Sequence, residues 1–325
     1  MKQPHRRTAV FLMNLGGPRS LAEVRPFLFD LFADKQILQV PALIRIPLAA
    51  LIAALRAPSS RSKYALIGNR SPLVQETEAQ ARALDTKLGE PFKCFLAMRC
   101  GQPDTKHAVA EALAWGAEQA VGLPLYPQFA RATTMSSLEE LRDRWPASLP
   151  LREIRSYPTD PLFLDAAAAC LDEALAQVRP ETRPQRLVIF SAHGLPMRDV
   201  RAGDPYESEV KATVEAVARR CQLGADEWRL TYQSRVRPRE WLGPDTVETV
   251  RKLAKGRALV LVPIAFVSEH LETLYDLDIL ARQAAEQVRA SQVVRARTPG
   301  TRPEFMLALE RLVHEALGEP EPAPR

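Results

Sequence analysis

The chain has 325 residues, a length that suits about two domains. Apolar residues make up 46% and charged residues 26%, which supports a core in each domain and excludes a largely disordered polypeptide. The net charge of +5 is carried by scattered basic residues with no long run. That pattern excludes a nucleic-acid-binding tail and leaves an anionic substrate or membrane surface compatible.

In chain order, Lys2, Arg6 and Arg7 precede a short apolar run over residues 9–13 that stops at Asn14 and Gly16-Gly17-Pro18. The run is shorter than the apolar region of a signal peptide and reads as a first buried strand. The longest apolar stretch, residues 37–55, contains Gln39, Pro41, Arg45 and Pro47, so it is not expected to span a bilayer. Strand-then-proline units then alternate with helical patterns, the signature of parallel sheets covered by helices. They read TAVFLMNLGGP (8–18), FLAMRCGQP (95–103), AVGLPLYPQF (120–129) and LREIRSYP (151–158), then RLVIFSAHGLP (186–196), LTYQSRVRP (230–238), ALVLVPIAF (258–266) and QVVRARTP (292–299).

The second four repeat the first four in order. Pro103 to Pro124 is 21 residues against 25 for Pro238 to Pro263, and Pro124 to Pro158 is 34 against 36 for Pro263 to Pro299. Only the first interval differs, 85 residues against 42, which places an insertion in the first half at about residues 36–78. It holds Leu43, Ile44, Ile46, Leu48, Leu51, Ile52 and Leu55 beside Arg45, Arg56, Arg61 and Lys63. On a short helix interrupted by Pro47 these apolar residues cannot all face inward. The insertion is either a packing helix or an apolar lip that touches an anionic membrane surface.

Ligands of open α/β sheets bind beyond the carboxyl ends of the strands, so chemistry is sought there. Of five histidines, His193 and His270 directly follow strands. Around His270, the spacing of Glu269, Glu272 and Asp276 predicts three carboxylates on one helix face, with Glu269 toward solvent at the helix start. Imidazole and carboxylates can pass a divalent cation and shuttle protons near neutral pH. No G-x-G-x-x-G, P-loop or G-x-S-x-G motif is present. Cys94, Cys100, Cys170 and Cys221 form no C-x-x-C pair and read as reduced thiols of a cytosolic protein.

MNLGGP (13–18), FLFDLFAD (27–34), YPQFARATTMSSL (126–138), FSAHGLP (190–196), GDPY (203–206), YQSRVRPREWLGP (232–244) and VPIAFVSEHLETLYDLDI (262–279), taken in this order, resemble the ferrochelatases over nearly the whole chain. The resemblance implies two similar Rossmann-like α/β domains, each with a four-stranded parallel sheet, around a porphyrin cleft. Residues 1–126 with a returning helix over 300–325 would form the first, and 127–299 the second. It implies insertion of Fe²⁺ into protoporphyrin IX, with His193, Glu272 and Asp276 catalytic and His193 and Glu272 meeting the metal. Arg99, Tyr126, Gln233, Ser234, Trp241 and His270 would line the macrocycle. Rival readings are a coproporphyrin ferrochelatase, another tetrapyrrole chelatase and a non-catalytic porphyrin or haem carrier. Fe²⁺ would be a substrate, with no permanently bound cofactor. No iron–sulfur cluster is expected, since Arg131 stands at the central cysteine position of cluster-bearing relatives and no cysteine follows Cys221. The expected protein is a cytoplasmic monomer or homodimer, peripheral at the inner membrane face, with no nucleic-acid partner.

Overall fold

The computed structural model describes residues 6–235 and 240–319. Two compact units emerge, Met1–Ser156 with Met306–Arg325, and Tyr157–Phe305. In the first, β1 (Thr8–Asn14), β2 (Phe92–Met98), β3 (Gln119–Pro124) and β4 (Leu151–Glu153) form a parallel sheet of order β2-β1-β3-β4. In the second, β5 (Leu187–His193), β6 (Trp228–Gln233), β7 (Ala258–Pro263) and β8 (Gln292–Arg295) form one of order β6-β5-β7-β8. The repeat read from proline spacing is thus a repeat of topology. Pro238, which closes its sixth unit, lies outside the described residues.

The central strands are nearly continuous apolar runs because both faces are covered: all seven residues of β1 and all six of β7 are buried. In the first unit Phe11, Met13, Phe95, Leu138, Leu141 and Trp145 pack together. In the second, Ile189, Val250, Leu259, Leu261 and Leu277 do so. The chain passes between units after Ser156, later than the break expected after Tyr126. The physical reason is strand pairing: Ala120, Val121 and Gly122 of β3 pair with Leu151, Arg152 and Glu153, which ties residues 127–156 to the first sheet.

The helices of the first unit are α1 (Val24–Ala33), α2 (Ala42–Leu66), α3 (Leu73–Leu88), α4 (Thr105–Trp115) and α5 (Ser136–Arg144). Those of the second are α6 (Pro161–Ala176), α7 (Met197–Arg201), α8 (Tyr206–Arg220), α9 (Thr246–Leu253), α10 (Leu271–Leu274) and α11 (Arg282–Gln287), and α12 (Pro303–Leu317) carries the chain back to the first. There His314 meets Phe92 edge-on at 5.3 Å. Sequence sets several starts. Asp104, Asp160 and Asp245 each accept a backbone N–H three residues on, satisfying a donor that the helix leaves open. Pro161 follows its cap, where a missing N–H costs nothing.

The insertion forms α2, and here one expectation is corrected. Pro47 does not interrupt it, because the helix runs for 25 residues through Pro47 and Pro58. Ala49, Ala53 and Ala57, one turn apart, are buried, and α2 packs on α1. Larger apolar side chains point away: Leu43 is 91% and Leu55 72% exposed, with Ile44, Ile46 and Leu51 also exposed. Gln39, Pro41, Arg45 and Pro47 were expected to prevent a span, yet α2 is long and apolar enough to cross a membrane by length and composition alone. Its basic residues are largely engaged. Arg45 donates to the Val40 carbonyl, Arg61 donates to the Leu21 carbonyl, and Arg56 lies 5.5 Å over the Phe32 ring.

Candidate functional site

The C-terminal edge of the second sheet gathers polar side chains that the strands themselves cannot satisfy. His193 ends β5, and its Nδ1 lies 2.9 Å from Glu272 Oε2. Its side chain is 40% exposed, and Nε2 has no protein partner among the described residues. Burial by itself would lower the His193 pKa, but the charge and hydrogen bond of Glu272, aided by Asp276, outweigh it and raise it. Burial would likewise raise the Glu272 carboxyl, and His193 with His270 instead holds it far below the usual carboxylate range. His270 Nε2 stands 3.6 Å from the same Oε2, while its ring packs on Phe266 at 4.7 Å.

This pairing arises from the end of β7. There the chain leaves the sheet, and His270, in extended backbone, caps α10. The helix therefore begins after Glu269, and a π-helical turn over Asp276–Ala281 follows, marked by the Leu280 N–H to Tyr275 carbonyl bond. Both features break the single α-helical phase expected from the sequence, and the three carboxylates diverge. Glu272 faces His193. Asp276 accepts from Ser234 Oγ at 2.5 Å. Glu269, expected toward solvent, accepts instead from Arg295, Thr298 and Thr273.

The loop after β6 supplies further members. Ser234 adopts φ +61°, an uncommon conformation for a residue with a Cβ, and its hydroxyl is fixed on Asp276. Gln233 is buried with both ends of its amide used: Oε1 accepts from Ser191 at 2.6 Å and Nε2 donates to the Glu272 carbonyl at 2.7 Å. Ser191 is linked to Thr246, and Thr246 to Thr231. A buried hydroxyl chain thus reaches the backbone of the residue that holds His193. Trp241 bridges to Pro196, and a Cβ on Gly194 would lie 3.3 Å from its ring, so the indole borders the turn after His193.

Arg99 and Tyr126 belong to the first unit and form their own cluster. The Arg99 guanidinium, 18% exposed, pairs with Asp34 at 2.9 Å and donates to Ser136 Oγ at 2.6 Å. Ser136 also bonds Asp34. Tyr126 is half-buried, with its hydroxyl buried. Arg131 opens a second π-helical turn, Arg131–Met135. The four thiols are unpaired, and burial pushes Cys100 up to about 12, Cys170 to about 11 and Cys221 to about 12. They are protonated at neutral pH and are weak metal donors in that form.

Sequence reading missed Asp34, Ser136, Ser191, Thr231, Thr246 and Arg295. A signal existed for the hydroxyls, since Ser191 and Thr231 interrupt apolar strands and a buried hydroxyl must find a partner. Arg295 carried none.

Comparison with known proteins places this chain in a family. The family model described as Ferrochelatase matches residues 7–317. The chain is 42% identical over 319 residues to a ferrochelatase of Caulobacter vibrioides (strain NA1000 / CB15N), covering 96% of this chain and 91% of the relative. It is 37% identical over 316 residues to that of Pelagibacter ubique (strain HTCC1062), covering 94% and 90%. Among solved structures, SirB from Bacillus subtilis with Fe³⁺ shares the fold at a TM-score of 0.59 and 14% identity, over 95% of each chain.

Proposed function

Because the chain belongs to the ferrochelatase family, lyases that insert Fe²⁺ into protoporphyrin IX, we propose that His193 is the base of this reaction and Glu272 the group that orients it. The observation that carries this reading is the 2.9 Å contact between His193 Nδ1 and Glu272 Oε2. A porphyrin must lose two N–H protons and expose its nitrogen lone pairs before a metal enters. With Nδ1–H donated to Glu272, the Nε2 lone pair is left to accept a pyrrole proton or to meet the incoming Fe²⁺. The carboxylate also stabilises the imidazolium that results, which makes His193 a stronger base. Asp276 adds negative charge beside the pair and takes the second proton or hands on the metal.

The remaining residues take supporting roles in the same proposal. Within the second unit, Trp241 and His270 offer flat surface to the macrocycle, and Ser234 meets its polar edge. Gln233, with both ends of its amide engaged, supports the Glu272 backbone rather than contacting porphyrin. The exposed apolar side of α2 suits protoporphyrin, whose edge is mostly hydrocarbon, and docks the protein as a cytoplasmic, peripheral monomer or homodimer on an anionic bilayer.

Anaerobic incubation with Fe²⁺ and protoporphyrin IX, followed by absorbance, tests the assignment. His193→Ala is expected to bind porphyrin and fail to metallate it. Wild-type turnover in that variant removes His193 from the mechanism.

A further inference from the structure

We infer that Arg295, the last residue of β8, is a positioning residue for metal insertion: it fastens both ends of the segment that carries His270, Glu272 and Asp276. The inference rests on the His193–Glu272 reading above and adds to it a residue on a different strand.

The geometry is as follows. The Arg295 side chain is 12% exposed. Its Nε donates to Asp278 Oδ1 at 2.8 Å, and its Nη1 donates to Glu269 Oε1 at 3.0 Å and to the Ala296 carbonyl at 3.1 Å. Glu269 and Asp278 bracket residues 270–277, so one guanidinium grips that segment before and after Glu272. Glu269 is itself fully engaged. Oε1 also accepts from the Thr298 N–H and hydroxyl, and Oε2 accepts from Thr273 Oγ1 at 2.6 Å. Thr273 Oγ1 in turn accepts from the His270 N–H at 3.0 Å, which locks the turn into α10. On the other side Leu277, beside Asp278, is wholly buried in the core under β5 and β7.

The segment needs such a grip. Its phase changes from extended backbone to a four-residue helix to a π-helical turn, none of which holds itself rigidly. Four carboxylates, Glu269, Glu272, Asp276 and Asp278, also crowd into ten residues. Like charges so placed repel and would spread the segment. Arg295 offsets the charge of the outer two, with Arg282 3.9 Å from Asp278 adding a second cation, and leaves the inner two for His193 and Ser234. Only arginine does this, because its planar fork binds two carboxylates at once in fixed directions, whereas lysine offers a point charge.

The test separates positioning from folding. Arg295→Lys keeps the charge and loses the fork. The triple variant Arg295→Met, Glu269→Gln, Asp278→Asn removes the grip without leaving buried charge unpaired. In both, with folding checked by circular dichroism, kcat for Fe²⁺ insertion is expected to fall about 10- to 100-fold, the usual cost of losing a group that orients a ligating or catalytic side chain. KM and Kd for protoporphyrin should stay within about twofold, since the grip does not touch the macrocycle. The downfield proton resonance of a His193 Nδ1–H bonded to Glu272 should broaden or disappear. Wild-type kcat in Arg295→Lys or in a folded triple variant overturns the inference, as does a loss confined to KM. His193→Ala measured alongside tells the two readings apart. Turnover there defeats the His193–Glu272 assignment itself, whereas a dead His193→Ala beside normal Arg295 variants defeats only the grip.

Discussion

β1 and β5 hold the same position in sheets of the same order, yet they end in opposite chemistry. Asn14, at the end of β1, is buried and spends both ends of its amide: Nδ2 donates to Thr77 Oγ1 at 3.1 Å and Oδ1 accepts from the Leu15 N–H at 2.9 Å. His193, at the end of β5, is bonded through Nδ1 alone and is 40% exposed. The turns that follow are both closed against backbone, the first more tightly. A Cβ on Gly16, at φ +86°, would fall 2.0 Å from the Cys100 carbonyl oxygen, and one on Gly194 would fall 2.9 Å from that of Gln233. The repeated topology therefore gives two strand ends closed by glycine turns. What differs is whether the last side chain closes on its own unit or keeps a nitrogen available.

The most severe way to break this contrast is to give β5 the ending of β1. His193→Asn should fold, bind porphyrin and lose about 10²- to 10⁴-fold in kcat, the range for removing a general base. Stopped-flow absorbance under anaerobic conditions measures it, and a loss below tenfold would mean that the strand-end difference is incidental.

Glu272→Gln comes next, with an expected loss of about 10- to 100-fold. It also carries a signed pH effect. Glu272, depressed from 4.5, contributes stability above that value and loses it as pH falls through its folded pKa. His193, raised from 6.5, contributes stability below that value and loses it as pH rises through its folded pKa. The stability gap between wild type and Glu272→Gln should therefore be widest between those two ordinary values and narrow toward alkaline pH. Denaturation at a series of pH values checks the sign. In the variant, the NMR titration of His193 should move to lower pH, and an unmoved titration would uncouple the pair.

A smaller effect is expected in the first unit. Asp34 is 2% exposed and pairs with Arg99. Asp34→Asn leaves a largely buried guanidinium short of a partner, at a cost of about 1–3 kcal/mol in stability. Thermal denaturation should register this, while turnover should fall less than in Glu272→Gln. Equal losses of turnover would place chemistry on both sheets and erase the contrast.

Much of the scaffold was legible because buried parallel strands must be apolar runs. TAVFLMN and ALVLVP announce themselves. His193 and Glu272 were legible as a strand-end histidine and a nearby acid, and the structure joins them. The errors over the acidic segment have one origin: periodicity presumes a uniform helix. His270 caps α10 one residue after Glu269, and the π-helical turn resets the phase at Asp276, so carboxylates expected on one face take three directions. Arg295 escaped notice because its partners lie 17 and 26 residues away in sequence, and no local pattern marks a guanidinium that will meet two carboxylates in space.

The smallest expected effect concerns α2, which the second unit lacks. A helix with small residues on one side and large apolar residues on the other is the reverse of a core helix, since burial favours the larger side chains. Ala49, Ala53 and Ala57 let α2 approach α1 closely, while Leu43, Leu51 and Leu55 remain in solvent. Exposed positions contribute little to folding, so the triple substitution of those leucines by serine should change stability by no more than about 0.5 kcal/mol per site. Turnover with protoporphyrin presented in detergent should stay near wild type. Sedimentation with anionic phospholipid vesicles should fall, and with it the rate at which vesicle-borne porphyrin is metallated. The basic side chains of α2 are tied to neutral carbonyls or a ring and so keep their charge, and the binding should weaken as salt rises. Unfolding of the triple variant would show that this side of α2 is covered in the working protein. Unchanged vesicle binding would show that the membrane contact lies elsewhere.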